Sequence, residues 1–213
     1  MPTTIEDIIK RFELYLDDTS ELSTQEELEL AQRVFNSICN SNDWEILKKQ
    51  ASGVLSTSVP YIELPDDFAY ITENANFTNN SVSYEEGLQG KIVFIGTAKT
   101  PYKVINWSDR RQYEGSTGYC YVDIANNRLY FTKQPTTADI YDFDYMSSGV
   151  DLKLTTEFPF PDRFSAVLFH GMCVDGYIIQ QFDKARSYAD ENQLKFQNIL
   201  EDMKIWNSQL LNN

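Results

Sequence analysis

The last third of the chain carries a long apolar stripe, which constrains its fold more than any other feature. Its members recur in alternating steps of three and four residues, at Ala185, Ala189, Phe196, Ile199, Met203, Trp206 and Leu210. This spacing places them on one side of a long helix, and such a side is buried against another helix or another subunit. We therefore predict that the later members of the stripe form an interface, namely Phe196, Ile199, Met203, Trp206 and Leu210.

One polar residue, Asn192, occupies a position of the stripe that calls for an apolar side chain. A polar side chain at such a position can fix the register of two helices at some cost in stability. We therefore expect Asn192→Leu to stabilise the pairing of this helix or to leave it unchanged.

The chain is strongly acidic. It has 32 Asp and Glu against 18 Lys and Arg, a formal net charge of −14 in 213 residues. Binding to nucleic acid without regard to sequence depends on Lys and Arg, so this function is disfavoured. The three cysteines are widely spaced, which favours buried free thiols in a reducing compartment over disulfides or a zinc site. No stretch is long enough to span a bilayer, and we expect no membrane partner.

The first fifty residues predict helices. Thr3 and Thr4 provide an N-cap with Glu6 following, and the apolar residues after them share one helical face. A second helix is predicted to be capped either by Ser23 with Glu26 or by Thr24 with Glu27. A short helical turn is expected at residues 42–49.

From Gly53 the apolar period changes from about four to two, which predicts strands. The predicted strands are 54–59, 61–64, 70–72, 91–95, 102–107, 119–124, 128–132 and 140–145. Asn126-Asn127 suits a tight turn because Asn tolerates positive φ. Residues 74–90, rich in Asn, Ser, Glu and Gly, predict a long exposed loop.

Helical periodicity returns after residue 158, so helices flank a block of strands. We predict an α+β fold in which N-terminal and C-terminal helices form one bundle, with an antiparallel β-sandwich or barrel-like domain inserted between them. The predicted parts are 1–52 and 158–213 for the two halves of the bundle and 53–157 for the β domain.

Candidate catalytic groups are few. His170 is the only histidine, and its apolar helical context favours a core or interface role. Asp66 and Asp67 follow a proline in a turn, where Asp is favoured by hydrogen bonds to the backbone. Asp142 and Asp144 share one face of a strand, where a solvated face is a simpler explanation than a calcium site. We therefore predict no catalytic site, no metal site and no cofactor.

Two further features suggest binding. Arg110-Arg111 lies in a Gly-containing loop whose two positive charges could touch phosphate. In a chain this acidic, we expect them instead to form a salt bridge or to contact an acidic partner. The tryptophans Trp44, Trp107 and Trp206, with many tyrosines, leave open carbohydrate or receptor binding through the β domain, although aromatics more often serve cores and interfaces.

The order of several motifs resembles that of the head-to-tail adaptor proteins of short-tailed bacteriophages, also called connector or ring proteins. The matching motifs are Asp43-Trp44-Glu45 with Leu47, residues 61–68, Pro101-Tyr102-Lys103-Val104, Leu129-Tyr130-Phe131, residues 141–145 and Phe158-Pro159-Phe160-Pro161-Asp162. They extend over nearly the whole chain, and it is their order and spacing that carry the resemblance.

The resemblance implies a structural virion protein at the head–tail interface, assembled in the host cytoplasm. Such adaptors form a twelve-membered ring below the portal, with the helical part on the portal and the β part facing a tail nozzle, a tail tube or further ring proteins. Double-stranded DNA would pass through the ring without sequence-specific binding. On this basis the stripe of the C-terminal helix would contact the portal or a neighbouring subunit, and Arg110 and Arg111 would contact the tail side or a neighbour.

Overall fold

The structure, a computed structural model, describes residues 2–16, 22–73, 90–180 and 185–210. These residues form four helices, α1 (Ile5–Leu16), α2 (Thr24–Asn40), α3 (Ala166–Gln180) and α4 (Ala185–Leu210). They also form eight strands: β1 (Lys48–Val54), β2 (Tyr61–Glu63), β3 (Phe68–Ile71), β4 (Ile92–Ile95), β5 (Thr100–Ile105), β6 (Tyr119–Asp123), β7 (Arg128–Phe131) and β8 (Ile140–Ser147). The predicted α+β class is confirmed. The loop predicted at 74–90 lies outside the described residues, apart from Gly90.

The chain divides into two compact units. The helical unit comprises Met1–Leu47 with Ser148–Asn213, and the β unit comprises Lys48–Ser147. Residues 48–52, assigned from sequence to the first half of the bundle, lie in β1 instead, and residues 148–157, assigned to the β domain from sequence, belong to the helical unit. Main-chain hydrogen bonds explain the second difference, because the N–H groups of Ile5 and Glu6 donate to the carbonyls of Thr156 and Leu154.

Side-chain caps begin the first two helices. Thr4 Oγ1 accepts a hydrogen bond from the N–H of Asp7, and the Asp7 carboxylate accepts one from the N–H of Thr4. Asp7 thus completes the cap that was predicted to use Glu6. Ser23 and Glu26 form the reciprocal capping box at α2. This choice leaves Glu27 free to turn into the core, where it is 1% exposed.

Helix α3 is the centre of the helical unit, because α1, α2 and α4 all pack against it. Two glycines permit the close approach. A Cβ atom at Gly171 would overlap Val34 of α2 and lie 3.1 Å from the Phe196 ring of α4, and one at Gly176 would lie 3.0 Å from the Phe12 ring of α1. The absence of a side chain at these two glycines therefore allows the neighbouring helices to pack this closely against α3.

The eight strands form one curled sheet, in the order β1-β8-β4-β5-β6-β7-β2, with β3 also paired to β8. Of the two predicted alternatives, an antiparallel sandwich or a barrel-like domain, the sandwich is wrong, and the expectation that all strands are antiparallel is wrong as well. The strands belong to a single sheet, and β5 and β6 run parallel, whereas the other pairs are antiparallel. A parallel pair needs a crossover connection instead of a hairpin. Here the crossover contains a 3-10 helix, Trp107–Gln112.

The inner face of the sheet holds its core. Strand alternation brings together Leu55, Ile62, Leu64, Ile71, Val93, Ile95, Cys120, Leu129, Phe131, Phe143 and Tyr145. Seven of the eight strands overlap the predicted ones by at least two residues. The exception is β1, which shares only Val54 with the predicted strand 54–59, and residues 55–59 are not a strand. The first residues of β1, Lys48-Lys49-Gln50, are exposed on the edge of the sheet and show no apolar alternation. The turn before β7 is confirmed, since Asn127 has a φ of 51°.

Candidate functional site

His170 belongs to a structural hydrogen-bond network. Its Nδ1 lies 2.7 Å from Oδ1 of Asn192, which is 1% exposed. Asn192 Nδ2 donates to the carbonyl of Tyr188 at 2.8 Å and to the hydroxyl of Tyr15 at 3.3 Å. Burial lowers the pKa of His170, which favours the neutral ring. The network joins α1, α3 and α4. It argues against the benefit expected from Asn192→Leu, because leucine would remove the hydrogen bond to His170 Nδ1.

Asp67 links several strands of the β unit through side-chain hydrogen bonds. Its carboxylate accepts hydrogen bonds from the hydroxyls of Tyr145 and Ser147, each at 2.9 Å, and from Lys49 Nζ at 2.5 Å. Burial alone would raise the pKa of Asp67, but these hydrogen bonds together lower it. Asp66 is exposed. The two carboxylates therefore have different surroundings, and Asp67 holds β3, β1 and β8 together.

The remaining candidates for chemistry have structural explanations as well. Asp142 pairs with Lys99 Nζ at 2.5 Å. Within the described ranges, no three His, Cys, Asp or Glu side chains are grouped so that they could hold a metal ion. Cys39, Cys120 and Cys173 are buried and free. Burial raises the pKa of Cys39 and of Cys173 to about 12, so these thiols stay protonated at neutral pH.

The stripe of α4 faces the interior of the helical unit. Met203 is fully buried, and the Phe196 ring lies beside Gly171. The Trp206 ring is 5.6 Å from the ring of Phe164, which precedes α3. The stripe thus buries α4 against its own chain. Met203, predicted to contact a partner, is a core residue, because no part of it reaches the surface.

The rest of the stripe lies nearer the surface, beside a polar anchor. Ile199 is half-buried and Leu210 is 40% exposed. Between them along α4, Asn207 is 3% exposed. It accepts a hydrogen bond from the N–H of Glu45 and donates one to the carbonyl of Asp43, both at 2.8 Å. The end of α4 is thereby tied to the segment that follows α2.

The opposite side of α4, which the apolar stripe did not reveal, is exposed. Leu194 and Ile205 are 59% and 58% exposed, and eleven residues correspond to about three helical turns, so both side chains share one side. We call this surface the outer face of α4 and define it by Asp190, Glu191, Leu194, Asn198, Glu201, Asp202 and Ile205. Lys195 and Lys204 pair with Glu191 and Glu201 at its flanks. Among the described residues, Asp190 and Asp202 have no ion-pair partner.

Arg110 and Arg111 lie on the 3-10 helix of the crossover in the β unit. The guanidinium carbon of Arg110 is 3.3 Å from the centroid of the Trp107 ring, and its Nη1 donates to the Trp107 carbonyl at 2.7 Å. Trp107 is 53% exposed, and Arg111 is exposed. In the part of the chain that the structure describes, neither arginine has a carboxylate within 4.0 Å.

The two arginines border an open groove of about 440 Å³, which we call the arginine–tyrosine groove. It is lined by Pro60, Arg110, Arg111, Glu114, Tyr121, Tyr130, Phe131, Thr132 and Gln134. Strand pairing sets Tyr121 opposite Tyr130, and Tyr130 opposite Tyr61, so three tyrosines stand in a row across β6, β7 and β2. Sequence reasoning missed this row. Each strand shows an outward tyrosine, but the order of the strands was unknown.

The aromatic faces in this region are already in contact with other groups. The rings of Tyr121 and Tyr130 stack at 5.5 Å with an interplanar angle of 9°. Arg128 lies 4.1 Å over the Tyr61 ring, as Arg110 lies over Trp107. Trp44, another candidate for sugar stacking, is fully buried. Sugar recognition uses a free aromatic face, so this arrangement favours contacts with the edges and hydroxyls of the rings.

Comparison with family models gives a match that spans nearly the whole chain. A family model described as SU10 adaptor protein matches residues 3–211, which include both the helical unit and the β unit. No curated protein matches the chain. In the described part of the chain, the helices are too short or too polar to cross a bilayer.

Proposed function

The chain belongs to the SU10 adaptor protein family of structural phage proteins, and we propose that it forms a ring joining the portal to the tail around the DNA channel. Membership makes it a virion component that interacts with other phage head or tail proteins, in a class that is structural and not enzymatic. The family match over residues 3–211 is the observation that carries the proposal. The twelve copies, the portal and the tail partner come from the resemblance.

The two units differ in charge, which supports different binding partners for each. The helical unit has 20 acidic and 9 basic side chains, and the β unit has 12 and 9. In our proposal the helices act as one bundle that docks on the portal, assembled in the host cytoplasm, and the β unit faces a tail nozzle, tail tube or further ring protein. Acidic side chains would line the channel, where like charge gives DNA no stable contact and lets it slide.

Ring formation is proposed to need the portal as a template. The apolar stripe of α4 is used within its own chain, so each copy has limited apolar surface left for its neighbours. Binding to the portal would raise the local concentration of copies and supply the missing free energy.

The test is to measure the mass of the purified chain alone and with the portal of the same phage, followed by negative-stain imaging. We expect a monomer or weak oligomer alone and a ring of copies on the portal. A chain that does not bind the portal would overturn the proposal, and stable rings without the portal would overturn the template step. Tight binding of duplex DNA at moderate salt would contradict the acidic channel.

Carbohydrate or receptor binding through the β unit is the other function considered from the sequence. The contacts that cover the aromatic faces do not favour it. Glycan binding by the purified chain, measured by calorimetry against a panel of bacterial surface sugars, would support it and count against a purely structural role.

A further inference from the structure

We infer that the arginine–tyrosine groove of the β unit receives the outer face of α4 from a neighbouring copy of this chain. The inference rests on the proposed ring. A closed ring of identical copies needs two different and complementary surfaces on every copy, because each subunit contacts the next head to tail. The groove and the outer face of α4 are two exposed surfaces that combine apolar groups with charges of opposite net sign.

The groove has the composition of a protein-binding surface. Arginine, tyrosine and tryptophan are enriched among the residues that dominate binding energies. Its tyrosines are held in place by stacking, and Arg110 is fixed on Trp107 by a hydrogen bond and a ring contact. These side chains would lose little conformational freedom on binding. Arg110 and Arg111 with Glu114 leave one net positive charge along the lining.

The outer face of α4 has the complementary composition. It carries four carboxylates, and the two lysines at its flanks leave a net charge of −2. Asp202 is exposed and, within the described ranges, has no ion-pair partner. It can therefore accept a hydrogen bond from a guanidinium of the next copy without breaking an existing pair. Leu194 and Ile205 on the same side would pack on the tyrosine rings of the groove.

Another exposed apolar pair lacks this match. Val54 and Ile140 lie opposite each other on β1 and β8 and are 64% and 46% exposed, but apolar contact alone does not select a partner. Copies of this chain repel one another because each has a net charge of −14. A contact between the cationic groove and the acidic helix face is locally attractive and offsets this repulsion.

The first experiment reverses charges on the two surfaces and measures ring formation on the portal. Arg111→Glu and Asp202→Arg should each weaken association between copies about tenfold or more, and the double variant should recover much of the loss. Lys153→Glu and Asp151→Arg are matched controls, since both residues are exposed and belong to neither of the two surfaces. Equal losses in the controls, or no recovery in the double variant, would overturn the inference.

The second experiment is disulfide trapping, which the buried native thiols permit. Chains with Gln112→Cys are mixed with chains with Asn198→Cys on the portal under mild oxidation. We expect a crosslinked heterodimer from the mixture and none when Ser56→Cys replaces Gln112→Cys. If the wild-type chain forms rings on the portal while the cysteine pair gives no crosslink and the charge-reversal variants assemble normally, this contact is refuted and the ring proposal stays intact. A wild-type chain that forms no ring on the portal would refute both.

Discussion

The helical unit and the β unit use their large apolar side chains in opposite ways. In the helical unit the longest apolar stripe, on α4, is turned inward and includes the fully buried Met203. The β unit keeps a row of tyrosines on the outside of its sheet, beside two arginines without carboxylate partners among the described residues. A long stripe in a sequence therefore does not by itself identify the surface that a partner covers.

The units also differ in what their polar interior groups do. The helical unit buries Asn192, Asn207 and Glu27, and the two asparagines make hydrogen bonds that link separate helices or segments. The β unit depends on alternation along its strands, with Asp67 clamping three of them from the edge of the core. Buried polar groups thus specify the packing of helices, which could otherwise slide along one another, whereas main-chain pairing already sets the register of strands.

The largest loss of stability is expected from truncating α4, which tests whether its apolar stripe packs inside the helical unit. Removal of residues 203–213 deletes Met203 from the core and both hydrogen bonds of Asn207, which should cost the helical unit more than about 5 kcal/mol and unfold it. Circular dichroism should show loss of helix, while the β unit persists as a protease-resistant fragment. Leu210→Ala, at an exposed position, is the control. A truncated chain with full helicity would mean that the stripe faces a partner after all.

The next effect concerns Glu27, whose Oε1 has no hydrogen-bond partner among the described residues. Burial, with the nearby charge of Glu13, raises its pKa to about 7. A raised folded-state pKa gives stability that is complete below the ordinary value of 4.5 and is lost as pH rises to about 7. We expect a loss of up to about 3 kcal/mol between pH 5 and pH 8, measured by urea unfolding.

Glu27→Gln should flatten this pH dependence, because the amide cannot ionise. Glu29→Gln, at an exposed position of the same helix, should preserve it. If the slope is the same in wild type and Glu27→Gln, another group causes it.

A smaller effect is expected from Asn192→Leu, which removes the hydrogen bond between Asn192 and His170 Nδ1. The helical unit should lose about 2 kcal/mol in free energy of unfolding. Asn198→Leu, on the outer face of the same helix, should change stability by less than about 0.5 kcal/mol. Thermal melts of both variants compare their stabilities. If Asn192→Leu is more stable than the wild type, the hydrogen bonds of Asn192 do not stabilise the helical unit.

The smallest effect lies in the β unit. Asp67→Asn removes the charge that Lys49 contacts but keeps the shape of the side chain, and it should cost about 1 kcal/mol. Asp66→Asn is the matched control one residue away. Fluorescence of Trp107, the single tryptophan of this unit, reports its unfolding if Trp44 and Trp206 are replaced by Phe. Equal effects of the two substitutions would remove the special role of Asp67.

Much of the secondary structure was predictable because it depends on neighbours in sequence. The box of Ser23 with Glu26 and the turn at Asn127 are local features with strong residue preferences. The start of β1 was not predictable, because an exposed edge strand carries polar residues that show no alternation. The parallel pairing of β5 and β6 was also hidden, since a crossover and a hairpin connection give similar strand patterns.

The candidate surfaces were less predictable, because they depend on residues distant in sequence. Arg110 and Arg111 were recognised as binding residues from their type, but their stacking partner and the tyrosine row depend on strand order. The role of Asn192 was half recognised: its position marked it as unusual, but its partners on α1 and α3 were unknown. The outer face of α4 was missed because Leu194 and Ile205 are too few to form a periodic pattern.

The placement of the β unit between two halves of the helical unit has a consequence for synthesis. Glu45 and Asn207 are 162 residues apart, and Ile5 bonds to Thr156. On the ribosome, α1 and α2 emerge long before their packing partners, whereas all eight strands of the β unit are available once residue 147 has left the exit tunnel. The β unit is therefore expected to fold first, and the nascent N-terminal helices must keep their apolar faces from other chains until α3 arrives.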